Sequence, residues 1–246
     1  MARPKQNLYG QEMGSKGILT RARIVAATAN LMQRRPLREL RVAEIGQMAA
    51  VSSSTFYLYF ESVAEAGLAV VEEVQQATPE LMALLASTWT ADNVMAKAKA
   101  FVQAYMAVWD THHALLRIRN FVADEGDKRF HDVRRRAVEP IHLALQEKIE
   151  TLQADLPPDQ RLDPPSTASV VLAMLERTAA LIRLPSAHKA TRPRQIETTA
   201  FLLASALMGG MPRDVRNTRK TPEKPADQSR PARRRARQAE DGAPSA

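Results

Sequence analysis

Residues 51–60 read VSSSTFYLYF: three consecutive serines, a threonine and then four rings within five positions. Phe56, Tyr57, Tyr59 and Phe60 are a third of an aromatic supply of 6 Phe, 4 Tyr and 2 Trp. Hydroxyls at this density suit hydrogen bonds to phosphate oxygens and base edges. Rings at this density suit a hydrophobic anchor. On one short helix, Val51, Phe56 and Phe60 turn inward, and Ser52 caps the N-terminus. Ser53, Ser54, Thr55, Tyr57 and Tyr59 then share the outer face and the helix start. Small residues there allow close approach to a nucleic-acid backbone, and free N–H groups meet phosphate oxygens. Tyr57 can reach a base edge or a phosphate, and the Thr55 methyl can meet a thymine methyl.

The other chemistry-bearing residues mainly exclude. With no cysteine, disulfides, thiolate zinc sites and cysteine nucleophiles are all ruled out. His112, His113 and His131 lie near Asp110, Asp124 and Asp132 but lack the His-x-x-x-His spacing. A polar helix surface is expected there, with no metal and no cofactor. No nucleophile–base pairing, glycine-rich phosphate loop or carboxylate dyad stands out, so no enzyme is expected.

Charge adds direction. Residues 1–60 carry nine Lys/Arg against three Asp/Glu, and residues 213–246 carry ten against five. The middle, 61–212, carries sixteen against nineteen. A basic N-terminal end on a slightly acidic body points to a polyanion partner. The sequence contains no run of 18 apolar residues, so no membrane span is expected. The N-terminal MARPKQNLYGQEMGSKG lacks an apolar h-region, and a cytoplasmic location is expected.

The elements that must position VSSSTFYLYF are helical. From Thr20, Ile24, Ala27 and Leu31 with Val25, Thr28 and Met32 form stripes that end at Pro36. A short helix is predicted over 42–49, a tight connection over 50–53 and a second short helix over 53–60. Ser62 and Glu65, at capping-box spacing, open a longer helix. The two short helices form a helix-turn-helix unit. Beyond it, helices are predicted at about 79–89, 91–112, 114–125, 128–153, 166–185 and 193–210. The connection 155–166 holds four prolines and is expected to be irregular, with Ser166 capping the helix over 166–185. The fold class is therefore all-α. The expected domains are a flexible basic arm (1–17), a helix-turn-helix domain (18–62), a larger helical domain (63–212) and a disordered basic tail (213–246).

In this arrangement the chain resembles the TetR/AcrR family of bacterial transcriptional regulators. The residues that carry the likeness are Ile24 and Ala27, Val42–Ala43–Glu44–Ile45–Gly46, Ala49–Ala50–Val51–Ser52 and Thr55–Phe56–Tyr57–Leu58–Tyr59–Phe60, over about residues 20–75. Three positions depart from the family pattern. Ala50 stands for the turn glycine, Arg41 for the threonine that caps the second helix, and Val63 for the lysine that opens the fourth. Arg41, Arg38 and the arm are expected to make the phosphate contacts that Val63 cannot.

The resemblance implies a C-terminal helical bundle that holds a ligand pocket and a dimer interface. The expected function is a ligand-responsive, sequence-specific regulator, a homodimeric repressor released from a palindromic double-stranded DNA operator by a small, largely apolar effector. Phe101, Tyr105, Trp109, Arg117, Asn120 and Phe121 are the expected ligand-binding residues. Helices 166–185 and 193–210 are apolar over more of their circumference than one surface requires. They are expected to form the dimer interface through Met174, Leu181, Leu203 and Leu207. Glu176 and Arg177 interrupt the first of them as pocket polar groups or as a rim pair. Two other classes fit the same composition: a non-specific architectural DNA binder, and a helical small-molecule carrier without DNA binding.

Overall fold

The apolar stripes do become packed helices. The computed structural model describes residues 6–74, 79–181 and 191–210, and among these every regular element is helical. The α-helices are α1 (Ser15–Met32), α2 (Val42–Ala49), α3 (Ser53–Tyr57), α4 (Val63–Val74), α5 (Pro79–Ala86), α6 (Val94–Asp124), α7 (Lys128–Leu152), α8 (Pro164–Leu181) and α9 (Arg192–Leu207). Single 3-10 turns lie at Leu37–Glu39 and Pro158–Gln160. The expected basic tail and the end of the 166–185 helix fall outside the described residues.

Both α1 stripes are buried: Ile24, Ala27 and Leu31 with Val25, Thr28 and Met32. They meet Ile45 and Ala49 of α2 and the inner face of α4 in one core with Phe56 and Phe60. Within the expected arm, residues 6–12 make bonds of their own and α1 opens at Ser15. Asn7 Oδ1 accepts from the N–H of Tyr9 and of Gln11, and the Leu8 N–H donates to the Leu58 carbonyl at 3.1 Å. The segment 6–12 is thus folded back against the end of α3.

Helices α6 to α9 form the larger bundle, with α6 against α7, α8 and α9. The two helices expected at 91–112 and 114–125 are one kinked helix, because only His112 leaves helical geometry (φ −119°, ψ 21°). The proline-rich connection is shorter than expected. Pro164 and Pro165 lie in the first turn of α8, where a missing N–H costs nothing, and the helix starts before Ser166. Asp163, not Ser166, provides the cap, its Oδ2 accepting the Ser166 N–H at 2.9 Å.

One buried side chain holds the far end of the bundle together. Gln153 donates from Nε2 to the carbonyls of Ala206 and Leu207, both at 3.2 Å, and accepts the Leu162 N–H at 2.8 Å. It satisfies two of the orphan carbonyls at the end of α9 and fixes the entry to α8.

Candidate nucleic-acid interface and effector crevice

The helix-turn-helix turns on a Schellman motif. The Val51 N–H donates to Gly46 O at 2.9 Å, and the Ala50 N–H to Gln47 O at 3.3 Å. Ala50 sits in the left-handed region, at φ 53° and ψ 50°. At the start of α2 the Arg41 side chain makes no cap. Glu44 replaces it by accepting the Arg41 N–H at 3.1 Å, and it also pairs with Arg35 at 2.9 Å. The Arg35 guanidinium, and next the Arg41 N–H, hold the Glu44 carboxyl below its ordinary range. The Arg41 side chain itself is left exposed.

Ser52 caps α3 by accepting the Thr55 N–H at 3.1 Å. Its hydroxyl also lies 2.8 Å from that of Ser54 and 2.9 Å from that of Thr55. Phe56 and Phe60 are fully buried, and the Phe60 ring carries the Arg21 guanidinium at 4.9 Å. Tyr57 is 47% exposed and stands edge-on to Phe56 at 5.5 Å. Ser52, Ser53, Ser54 and Tyr57 are therefore presented to solvent on a rigid aromatic base, with Thr55 half-buried beside them. Tyr59 departs from expectation. The helix ends at Tyr57, so Tyr59 leaves the outer face and packs half-buried toward Gly17 at the start of α1.

A crevice of about 1010 Å³ opens between the α1–α2 connection, the start of α4 and the bundle helices α6, α7 and α8. Trp109, Arg117, Asn120 and Phe121 line it, four of the six residues expected to contact ligand. Phe101 and Tyr105 do not. Both are packed in the core, their rings 6.1 Å apart. Burial, reinforced by nearby Glu176, pushes the Tyr105 phenol well above its ordinary value.

A charged network borders the crevice that sequence spacing could not reveal. Glu176 accepts from Arg134 at 2.5 Å, Asn120 at 3.3 Å and Arg119 at 3.4 Å, and Arg134 also reaches Asp124 at 2.9 Å. Arg119 and Glu176 are both buried. Burial lowers the Arg119 guanidinium, and Glu176 partly offsets that. Glu176 is thus a buried structural anion, whereas Arg177, next in sequence, is exposed on the crevice lining.

Of the residues expected at a dimer interface, Leu203 and Leu207 are fully buried in the protomer's own core. They cannot meet a partner, and this corrects the expectation. Met174 is half-buried and Leu181 exposed, in line with Val170, which is 69% exposed. On α9 the exposed apolar residue is Leu202, at 47%. As for the histidines, His113 bonds the Ala180 carbonyl at 3.1 Å and His112 marks the kink. One Glu-x-x-His spacing, Glu139 to His142, is present in the chain as well. His142 bonds Pro165 O and Ser169 Oγ while Glu139 pairs with Arg135, so the two do not converge on a common point. Among the described residues no group of three or more acidic or histidine side chains could hold a metal ion.

A helix-turn-helix with an exposed hydroxyl-rich third helix, seated on a larger helical bundle, defines a DNA-binding regulator with an effector domain. Residues 24–65 match the bacterial regulatory proteins of the tetR family, and residues 81–204 match the tetracyclin repressor-like C-terminal domain. The chain belongs to the TetR family of bacterial transcriptional regulators; it is not an enzyme. No curated protein matches it. Among solved structures, the fatty acid degradation regulator FadR from Bacillus halodurans is 15% identical, with a TM-score of 0.56 over 81% of this chain and 98% of that one. FadR from Bacillus subtilis, in complex with stearoyl-CoA, is 14% identical, with a TM-score of 0.56 over 77% and 98%. A putative regulator from Saccharomonospora viridis, in complex with choline, is 15% identical, with a TM-score of 0.54 over 74% and 92%. At such identity the likeness is one of fold. No described helix is long and apolar enough to cross a membrane.

Proposed function

We propose that this chain is a homodimeric repressor that binds a palindromic operator through α3 and is released by a small, largely apolar effector held in the crevice. The carrying observation is the crevice's position: it is lined by the α1–α2 connection and the start of α4 on one side and by α6 and α8 on the other. A ligand there touches the unit that bears α3 and the bundle at once. If it prefers the arrangement that cannot bind DNA, it shifts the population away from the operator.

The reading divides the chain at about residue 62, with 18–62 contacting DNA and 63–212 holding effector and partner. Ser52, Ser53, Ser54, Thr55 and Tyr57 make the contacts to bases and phosphates, and Arg41 binds the backbone. The apolar part of the lining, Leu37, Trp109, Ile118 and Phe121, suits an aliphatic or aromatic body. The acyl chain carried by the ligand of the B. subtilis regulator is of that kind. The dimer forms through the outer stripe of α8 (Val170, Met174, Leu181) with Leu202 of α9.

The test is footprinting on genomic fragments that the protein itself selects. Two half-sites about one helical turn apart are expected. A single asymmetric half-site, or uniform protection, refutes the dimeric repressor.

A further inference from the structure

Six arginines line the crevice: Arg34, Arg35 and Arg38 from the α1–α2 connection, and Arg117, Arg134 and Arg177 from the bundle. Three carboxylates share the lining, Asp124, Glu125 and Glu176. The pairing between them is uneven. Arg35 is taken by Glu44, and Arg134 by Glu176 and Asp124. Among the described residues, Arg34, Arg38, Arg117 and Arg177 form no ion pair with a carboxylate, and of the three lining carboxylates Glu125 alone lacks a cationic partner. Four uncompensated guanidinium groups thus face one uncompensated carboxylate, over a floor that includes Trp109, Ile118 and Phe121.

Like charges gathered around a concavity raise its potential and lower the free energy of an anion placed there. Guanidinium forks pair with carboxylate and phosphate oxygens in two-point geometry. The cations also come from both sides of the domain boundary. Arg38, in the connection, already reaches across to the Phe121 ring on α6, 5.7 Å from its centroid.

We propose that the effector is an amphipathic anion, with an apolar body on Trp109, Ile118 and Phe121 and a carboxylate or phosphate head between Arg117 and Arg177 of the bundle and Arg38 of the connection. Drawing Arg38 off Phe121 onto the anionic head exchanges a cross-domain ring contact for a ligand-borne one. This is how occupancy is transmitted to α2 and α3. The proposal rests on the ligand-responsive function of the crevice and gives that effector its charge.

Four probes with one alkyl chain separate the chemistry: decanoate, decyl phosphate, decan-1-ol and decyltrimethylammonium, each added below its micelle concentration to the full-length protein. Calorimetric binding and release of fluorescent operator DNA are the readouts. Decanoate or decyl phosphate is expected to bind and to release DNA, and the alcohol and the cation to do neither. Arg117→Gln combined with Arg177→Gln, both on exposed positions, should weaken anion binding by about tenfold or more. Arg135→Gln, on an exposed α7 pair outside the crevice, should respond like wild type. Equal binding of the alcohol, or an Arg117/Arg177 double variant that binds the anion like wild type, overturns the anionic head while ligand response stands. If the double variant instead flattens the salt dependence of operator binding, these arginines serve DNA and the proposal falls. Should no probe of any charge bind, the crevice as effector site falls with it.

Discussion

Ala50 carries the helix-turn-helix through the left-handed region, and Gly46, one helical turn earlier, lacks the Cβ that would lie 2.8 Å from the Val51 carbonyl oxygen. Ala50 stands where the family pattern has a glycine, and Gly46 leaves the room that the turn needs. A left-handed non-glycine residue costs about 1–2 kcal/mol. Ala50→Gly is therefore expected to stabilise the chain by about 1 kcal/mol, less what glycine adds to the entropy of the unfolded state. Gly46→Ala forces the turn to move and should cost about 1–3 kcal/mol. Urea denaturation of the two single variants checks both signs, and equal destabilisation by both would refute this account of the turn.

Tyr57 and Arg41 should fail differently on DNA. Tyr57→Ala removes an exposed ring from α3 and is expected to cost about 1–3 kcal/mol on the operator, with little effect on scrambled DNA. Arg41→Ala should weaken both sequences alike and reduce the salt slope by about 1. A salt titration on the two DNAs separates them. Unchanged operator affinity in a folded Tyr57→Ala protein would remove Tyr57 from the interface.

Glu176 neutralises two arginines in a site where Arg119 is itself buried. Removing the carboxylate leaves buried positive charge without a partner, and Glu176→Ala is expected to lose about 3–5 kcal/mol. Replacing Arg119 and Glu176 together by methionine and leucine should lose much less, because no uncompensated charge remains buried. Thermal unfolding of the single and double variants measures the difference; equal losses would mean that packing, not charge, governs the site.

Leu202 and Leu203 are neighbours with opposite fates. Leu202→Glu places a charge on the exposed side of α9 and should give folded monomers in sedimentation, as should Val170→Glu. Leu203→Glu buries an unpaired carboxylate in the core and should instead prevent folding. A folded, dimeric Leu202→Glu protein would move the interface off this face.

The helix-turn-helix is legible from the chain because its information is local. The Ser52 cap, the Phe56 and Phe60 anchors and the Ser62–Glu65 start signal each act within a few residues. In the structure Ser62 Oγ accepts the Glu65 N–H at 3.2 Å, while Glu65 reaches back to the Glu61 N–H at 2.5 Å. Periodicity misplaces Tyr59 because a small difference in where α3 ends turns a side chain to another face. Ser166 reads as a cap because two prolines look like a break when they can also open a helix.

Sequence alone determined the all-helical class, the two short helices of the helix-turn-helix with their Ser52 cap and aromatic anchors, and the basic N-terminal end, since helical periodicity and caps are written in residues three or four apart. The crevice, its unpaired arginines, the Glu176 network and the choice of Leu202 over Leu203 as an outward residue were decided only by the tertiary structure. Arg119 and Glu176 stand 57 positions apart, and Arg38 meets Phe121 from a different helical unit. A helix apolar on most of its circumference announces that it will be covered, but which neighbour covers which face depends on how all the helices pack together.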